Sequence, residues 1–353
     1  MKKSLALALA LVSCFTFALA GCGGSTSNAP KAGGVKEAAQ KAKTADKNTI
    51  ILAHFGAPNE PVTLAAATFK KEVEEKSKGA LKVEIHGNSE LGNAKEMAEQ
   101  TAMGAIQACL VSQGTLDKYD IRYALVTAPY VYSGYKQAYA VMDGPFAKWV
   151  GDGALEKKGL HNVGAWDYGF RSLTNSKREV KTPDDVKGLK IRTPSEVQKV
   201  ACFEALGADV QQVAFSELIT ALKQGTVDGQ ENPISTIFNN SMWEAGQKYL
   251  SLTRHTYEAV NLTFSNDYWK GLKPDQQKII TDASAVARDQ MRKAVQDGEA
   301  DYINKLKGKG VTVTEVDLAV FKKAMQPAWD KVAAYEGSKD DMNKFLKMVE
   351  ETK

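Results

Sequence analysis

The sequence is poor in the residues that build metal centres and disulfide frameworks. Its 353 residues include four cysteines and four histidines, and none of them forms a CxxC pair or a cysteine–histidine spacing typical of a metal site. The HExxH, P-loop and GxGxxG motifs are absent as well. The sequence therefore gives no support to a zinc enzyme, a P-loop NTPase or a dinucleotide-binding enzyme, and we expect no metal or cofactor.

An excess of one charge is also lacking. The 46 Lys and Arg residues nearly balance the 42 Asp and Glu residues, and the two signs are mixed along the chain. Without a basic stripe, nucleic-acid binding has no electrostatic support. The apolar share of 43% and the charged share of 25% are typical of a folded globular protein. At about 150 residues per domain, the length predicts roughly two domains.

Long apolar runs are confined to the start of the chain. Met1–Lys3 carries positive charge, and 5–19 is almost wholly apolar. Residues 1–21 therefore predict a secretory signal peptide. Leu19–Cys22 resembles the bacterial lipobox, which implies that Cys22 becomes the lipidated first residue; the alternative is an ordinary signal with an incidental cysteine. No other run reaches the roughly 20 apolar residues of a membrane span.

The segment that follows Cys22, residues 23–48, is rich in Gly, Ser, Ala, Lys and Thr and has no aromatic residue. Such a segment buries too little surface to offset the entropy of ordering it. We therefore expect a flexible tether that holds a folded body outside the cytoplasm, anchored to the membrane by lipid.

Apolar runs and helical periodicity alternate after residue 48, which predicts an α/β fold with parallel crossovers. The pattern starts again near residue 160, so we expect two lobes of similar size. The predicted strands are 49–53, 81–86, 106–111, 161–166, 189–192 and 209–213. The predicted helices are 61–78, 94–103, 197–206, 216–223, 274–306, 317–335 and 340–350.

The stretch 274–306 predicts a helix about 45 Å long at 1.5 Å per residue. This length exceeds one lobe, so the helix is expected either to run along both lobes or to kink near Gly298. We divide the chain into lobe I, residues 49–168 with 257–297, and lobe II, residues 169–256 with 298–353.

Signs of catalysis are weak. Gly87–Glu90 begins like a nucleophile elbow, but Leu91 occupies the position of the required glycine. Cys109 and Cys202 each lie in an apolar run, so they form either a disulfide or two buried thiols. A bridge between the lobes would resist their movement, which favours the thiols.

Two arginines are the best candidates for binding chemistry. Arg192 ends a short apolar strand, where ligands of open α/β sheets bind, and Arg171 follows an aromatic patch. The planar guanidinium group binds a carboxylate through two parallel hydrogen bonds. The alternative is that both are ordinary surface arginines.

Two stretches, 184–192 and 215–233, carry a family resemblance. With them, nearly all of the chain after residue 48 resembles the extracytoplasmic solute-binding subunit of TRAP transporters, the DctP-like family. The resemblance implies a periplasmic-binding-protein-like fold of two α/β lobes, a long helix spanning both, and a ligand held between them. It also implies partners: the small and large subunits of a membrane permease.

Carried over position by position, the resemblance assigns ligand-binding roles. Arg192 would be the main carboxylate clamp and Arg171 a supporting cation. Asn232 would supply an amide hydrogen bond, and Phe215 would pack on the carbon skeleton of the ligand. The weaker assignments are Ser195, His54, Ser112, Gln113, Trp166 and Glu90.

The resemblance implies a binding protein for a small organic acid anion, not an enzyme. A C4-dicarboxylate or a sugar acid such as a hexuronate is favoured, whereas His54 counts against sialic acid. The alternatives are a ligand-sensing lipoprotein of the same fold and a secreted hydrolase, for which no nucleophile and base pair is evident.

Overall fold

The computed structural model of the chain describes residues 47–352. The predicted signal peptide, Cys22 and nearly all of the predicted tether lie outside the described residues. Within 47–352, nine strands form one mixed sheet in the order β2-β1-β3-β8-β4-β7-β5-β6, and β9 pairs with β8. The strands are β1 Thr49–His54, β2 Lys82–His86, β3 Ala108–Ser112, β4 Leu160–Asn175, β5 Lys190–Thr193, β6 Asp209–Gln212, β7 Gly229–Pro233, β8 Tyr249–Ser265 and β9 Thr312–Glu315.

Helices cover the sheet and fill the connections. The α-helices are α1 Pro61–Lys76, α2 Ala94–Ala102, α3 Arg122–Leu125, α4 Tyr135–Val141, α5 Ala147–Val150, α6 Ala154–Lys157, α7 Val197–Ala205, α8 Phe215–Lys223, α9 Ile234–Asn239, α10 Asn266–Gly271, α11 Pro274–Gly308, α12 Leu318–Lys323, α13 Gln326–Ala334 and α14 Lys339–Glu351. No helix among residues 47–352 combines the length and apolar character needed to cross a membrane.

The sheet has a parallel group of strands at each end. At one end, β1 pairs in parallel with β2 and β3; at the other, β5 pairs in parallel with β6 and β7. These groups form the two lobes, which confirms the predicted fold class. The C-terminal ends of parallel strands are where side chains converge on a ligand, so each lobe offers one such edge.

The lobes are joined by two long strands that the sequence did not predict at this length. β4 and β8 have 16 and 17 residues and pair antiparallel with each other. Their register shifts at Asp167/Gly169 and Arg171/Leu173. The boundaries that we propose, 168/169 and 256/257, lie close to these irregularities, which supports a hinge there.

The long helix α11 contacts α1 and β4, and also α9 and β9. It is one continuous element of 35 residues that includes Gly298. The expectation of a helix along both lobes is therefore confirmed.

Two further details concern Gly229 and the two cysteines. Gly229 begins β7; a side chain there would meet the backbone oxygen of Thr174 at 2.3 Å, so the strand pairing requires glycine. Cys109 and Cys202 are buried free thiols.

Candidate functional site

A cleft of about 850 Å³ opens where the C-terminal edges of the two lobes face each other. Lobe I contributes the ends of β1 and β3 and the start of α2. Lobe II contributes the segments that follow β5 and β6, and the end of β7. The lining residues are Phe55, Ser89, Asn93, Ala94, Lys95, Ser112, Thr115, Tyr168, Arg171, Arg192, Pro194, Ser195, Glu196, Lys199, Gln212, Val213, Ala214, Phe215 and Asn232.

Arg192 lies on β5 and has 1% of its surface exposed. Its Nε donates a 2.8 Å hydrogen bond to the backbone oxygen of Val213, which fixes the plane of the guanidinium group. No carboxylate among residues 47–352 forms an ion pair with it. Burial lowers its pKa to about 10, although the more distant charge of Glu231 opposes the shift. Arg192 is therefore a cation at neutral pH that is held in the cleft without a salt-bridge partner.

Arg171 is equally buried but already paired. It lies on β4 with 2% of its surface exposed, and its fork binds both carboxylate oxygens of Glu231 on the neighbouring strand β7. It also donates to the Asn232 side chain at 3.0 Å and lies 3.7 Å from Glu258. Burial lowers the pKa of Arg171, but the two carboxylates outweigh burial and hold it above its ordinary value.

His255 completes this pairing from β8. Its Nε2 lies 3.2 Å from Glu231, and its Nδ1 lies 2.9 Å from the Thr253 hydroxyl. Burial lowers the pKa of His255 more than Glu231 raises it, so the ring is neutral at neutral pH. It therefore orients the carboxylate by hydrogen bonding.

A second buried group of charges stands beside the first. Lys199 on α7 lies between the carboxylates of Glu196 and Glu258 and forms an ion pair with each. Glu196 also reaches across the cleft, where it accepts a 2.8 Å hydrogen bond from Ser112 at the end of β3. The positive charge of Lys199 is therefore compensated by the protein itself.

An aromatic wall closes one side of the cleft. The rings of Phe55 and Tyr168 lie 5.3 Å apart, and those of Phe55 and Phe215 lie 6.0 Å apart, in both cases edge to face. These rings offer apolar surface to a ligand whose charged end is at Arg192.

Six of the predicted site residues lie at the cleft. They are Arg192, Arg171, Asn232, Phe215, Ser195 and Ser112. The four others lie elsewhere. Trp166 is in the core, against Phe69, where Nε1 donates to Ser284 on α11. It points away from the cleft although Tyr168, two positions later, lines it, because the register of β4 shifts between Asp167 and Gly169.

The side chains of the other three predicted residues also lie outside the lining of the cleft. His54 is buried at the end of β1; its Nδ1 accepts from the backbone N–H of Gly56, and burial lowers its pKa to about 4. Gln113 follows Ser112 but points the other way, toward Met142. Glu90 is exposed and pairs with His86.

Several residues at the cleft were not predicted, above all Tyr168, Glu196 and Lys199. Tyr168 belongs to the aromatic patch before Arg171, so its proximity to the arginine was a usable signal. Glu196 and Lys199 follow Pro194 at the start of a helix. Two charged residues in that position normally indicate a solvent-exposed ion pair.

Comparisons with known proteins agree with this architecture. Residues 52–336 match the model of the DctP family, "Bacterial extracellular solute-binding protein, family 7". The chain is 35% identical over 277 residues to the uncharacterized protein y4mM of Sinorhizobium fredii; the match covers 78% of this chain and 51% of that protein, so the chain spans about half of its length. The 2,3-diketo-L-gulonate-binding periplasmic protein YiaO of Escherichia coli is 33% identical, over 74% of this chain and 80% of that protein.

A crystal structure gives the same answer for the fold. The TRAP periplasmic solute-binding protein of Polaromonas sp. JS666, bound to D-erythronate, superposes with a TM-score of 0.80 and 33% identity, covering 85% of this chain and 98% of that one. The family model covers most of the described residues, and its members are binding proteins and not enzymes. The chain therefore belongs to the DctP family of bacterial extracellular solute-binding proteins, the solute-binding component of TRAP transporters.

Proposed function

We propose that this protein captures a small organic acid anion between its two lobes and delivers it to a membrane permease. Among the ligand classes that the sequence favours, a sugar acid with one carboxylate fits the cleft better than a C4-dicarboxylate. The observation that carries the proposal is Arg192, a buried cation in the cleft without an ion-pair partner among residues 47–352.

A ligand carboxylate would supply the partner that Arg192 lacks. Its guanidinium group is held in place by Val213, so the hydrogen-bond donors are oriented before the ligand arrives. Preorganised donors lose less conformational freedom on binding. Closure of the lobes would exclude water, and the attraction between the two charges strengthens as the local dielectric constant falls.

The number of unpaired cations favours one carboxylate over two. Arg171 and Lys199 are already bound to carboxylates of the protein, so of the three buried cations that line the cleft only Arg192 lacks one. Lys95 is the other cation of the lining, and it is exposed. The ligands of the Escherichia coli and Polaromonas relatives, 2,3-diketo-L-gulonate and D-erythronate, are both acids with a single carboxylate.

Delivery of the ligand to the permease requires that ligand binding changes the conformation of the protein. Hinge closure around a ligand changes the relative position of the lobes, and a membrane partner recognises the closed form. Lipidation of Cys22 would keep the protein close to that partner by burying acyl chains in the bilayer. Metabolic labelling with radioactive palmitate tests the anchor, because Cys22→Ala is expected to abolish incorporation.

A screen of organic acids tests the ligand class. We expect sugar acids such as D-erythronate, D-galactonate and D-glucuronate to raise the melting temperature of the purified protein, since a ligand that binds only the folded state stabilises it. Isothermal titration calorimetry then gives the dissociation constants. A response to neutral sugars equal to that of the acids, or no response to any acid, contradicts the proposal.

A further inference from the structure

Glu196 occupies an unusual place, because it is a buried carboxylate inside the cleft of a protein that binds acids. It has 3% of its surface exposed and lines the same cavity as Arg192. Its backbone N–H donates to the oxygen of Pro194, which sets up a tight turn at the end of β5. The turn directs the side chain across the cleft toward lobe I.

The carboxylate is anchored on both sides of the cleft. Oε1 accepts from the Ser112 hydroxyl of lobe I at 2.8 Å, while Oε2 accepts from Gln198 and Lys199 of lobe II. A side-chain atom on Gly114 would lie 2.0 Å from Oε2, so the group is closely packed against lobe I. Burial raises the pKa of Glu196, but Lys199, Arg171 and Ser112 outweigh burial, and Glu196 is ionised at neutral pH.

An ionised carboxylate only accepts hydrogen bonds. Each of its oxygens takes about two donors, so Oε1 keeps a free position beside the bond from Ser112. A ligand hydroxyl can fill that position, whereas a second ligand carboxylate meets a like charge. Like charges placed together at an interface cost several kcal/mol.

The charge balance of the cleft points the same way. Three buried cations, Arg171, Arg192 and Lys199, face three buried carboxylates, Glu196, Glu231 and Glu258, so the six groups carry no surplus charge when all are ionised. Burial raises the pKa of Glu258, and with that carboxyl group protonated the cluster carries +1. One ligand carboxylate then leaves a charge of 0, or −1 when Glu258 is ionised, whereas a dicarboxylate leaves −1 or −2. The cluster therefore accommodates a single anion far more readily than two.

We propose that Glu196 is the specificity-determining residue of the cleft: it accepts hydrogen bonds from the hydroxyls of a sugar acid bound at Arg192 and excludes a second carboxylate. This inference rests on the proposed function, since it takes the ligand to be an organic acid held by Arg192.

In each of two pairs of acids, the two ligands differ only in whether the terminal group carries a negative charge. D-Erythronate and meso-tartrate share four carbons and the hydroxyls at C2 and C3, and they differ in a terminal hydroxymethyl or carboxylate group. D-Galactonate and galactarate form the corresponding pair with six carbons. For each pair the measured quantity is the ratio of the two dissociation constants, diacid over monoacid, obtained by calorimetry on the full chain.

In the wild type we expect at least one monoacid to bind at least tenfold more tightly than its diacid. Glu196→Gln keeps the shape but removes the charge, so the ratio should fall at least tenfold, through weaker monoacid binding, tighter diacid binding or both. The control is Glu204→Gln, which removes the same charge from α7 at an exposed position paired with Lys331. That variant should leave the ratio within twofold of the wild type.

The triple variant Glu196→Gln/Lys199→Met/Glu258→Gln covers the case in which the single variant does not fold. It replaces Lys199 and both of its carboxylate partners by neutral groups of similar size, which proteins often tolerate, and it should lower the ratio in the same direction. A wild type that binds a monoacid, with a ratio unchanged in these variants, overturns the role of Glu196 alone. A wild type that binds no acid overturns the proposed function, and this inference falls with it.

Discussion

Arg192 and Arg171 lie in the same cleft, are buried to the same degree, and yet have opposite electrostatic surroundings. Arg171 has two carboxylates of the protein around it, and its pKa is raised. Arg192 has none within ion-pair distance among the described residues, and burial lowers its pKa to about 10. The two arginines therefore differ in their carboxylate partners and not in their location or burial.

The largest effect is expected from removing the paired arginine. Arg171→Met leaves the buried Glu231 carboxylate with His255 as its remaining hydrogen-bond partner among the described residues, and losing one member of a buried ion pair costs about 3–5 kcal/mol of folding free energy. Urea denaturation of the purified variant measures this loss. A loss below about 1 kcal/mol would mean that Glu231 is neutral or solvated in the folded protein, and the comparison would break.

The unpaired arginine should behave in the opposite way. Arg192→Met should weaken binding of the preferred acid by about 3 kcal/mol, because the ligand carboxylate loses its only buried charge partner. The stability of the ligand-free protein should change by less than about 1 kcal/mol, since no carboxylate is left unpaired. Calorimetry and urea denaturation on one sample separate the two quantities.

Arg288→Met is the matched control for this variant. Arg288 is a half-buried residue of α11, beside Asp289 and Asp143, and it lies outside the cleft. The control should keep the wild-type affinity. Equal loss of affinity in both variants would show that the effect comes from the net charge of the protein, and the clamp role of Arg192 would be wrong.

A substitution that preserves the charge of Arg192 tests whether the shape of the guanidinium group contributes to binding. Arg192→Lys keeps a cation but loses the planar fork that offers two parallel hydrogen bonds. We expect an affinity loss of about 1.5–3 kcal/mol, which is the net value of a hydrogen bond to a charged group. Wild-type affinity in this variant would mean that the ligand is held by charge alone.

The sequence predicted these arginines because both stand in distinctive local patterns, one at a strand end before a proline and one after an aromatic patch. It did not predict which of them is paired. Glu231 and Glu258 come from β7 and β8, neither of which was predicted, so the pairing depends on strand neighbours that only the folded sheet brings together.

The same limit explains why two predicted site residues lie away from the cleft. Trp166 is two positions before the cleft residue Tyr168, so strict alternation would place both side chains on one face of β4, but the register of β4 shifts between Asp167 and Gly169. Gln113 lies one position beyond the end of β3, where the chain turns and its side chain contacts Met142. The local sequence pattern predicts which strands lie near the cleft, whereas the register of each strand determines which of its side chains face the cleft.

A buried carboxylate outside the cleft extends the comparison to the opposite charge. Asp167 on β4 is fully buried; it accepts a 2.5 Å hydrogen bond from Tyr139 and forms no ion pair within the described residues. Burial raises its pKa to about 7, whereas Glu231, paired with Arg171, has a pKa well below its ordinary value. In both comparisons, the pKa of the group in an ion pair is shifted toward the charged form, and the pKa of the group without an ion pair is shifted toward the neutral form.

The smallest effect is therefore expected from Asp167→Asn, as a change in pH dependence. Between pH 4 and pH 7 the folded state holds a proton on Asp167 that the unfolded state releases, so this group lowers stability as pH rises, by at most about 1.4 kcal/mol per pH unit. The variant should lack that contribution and lose less stability, or gain more, than the wild type over this range. Urea denaturation at pH 4.5, 5.5 and 6.5 measures the two slopes. Identical slopes would mean that Asp167 is ionised in the folded protein, with a cationic or water-mediated partner that offsets its burial.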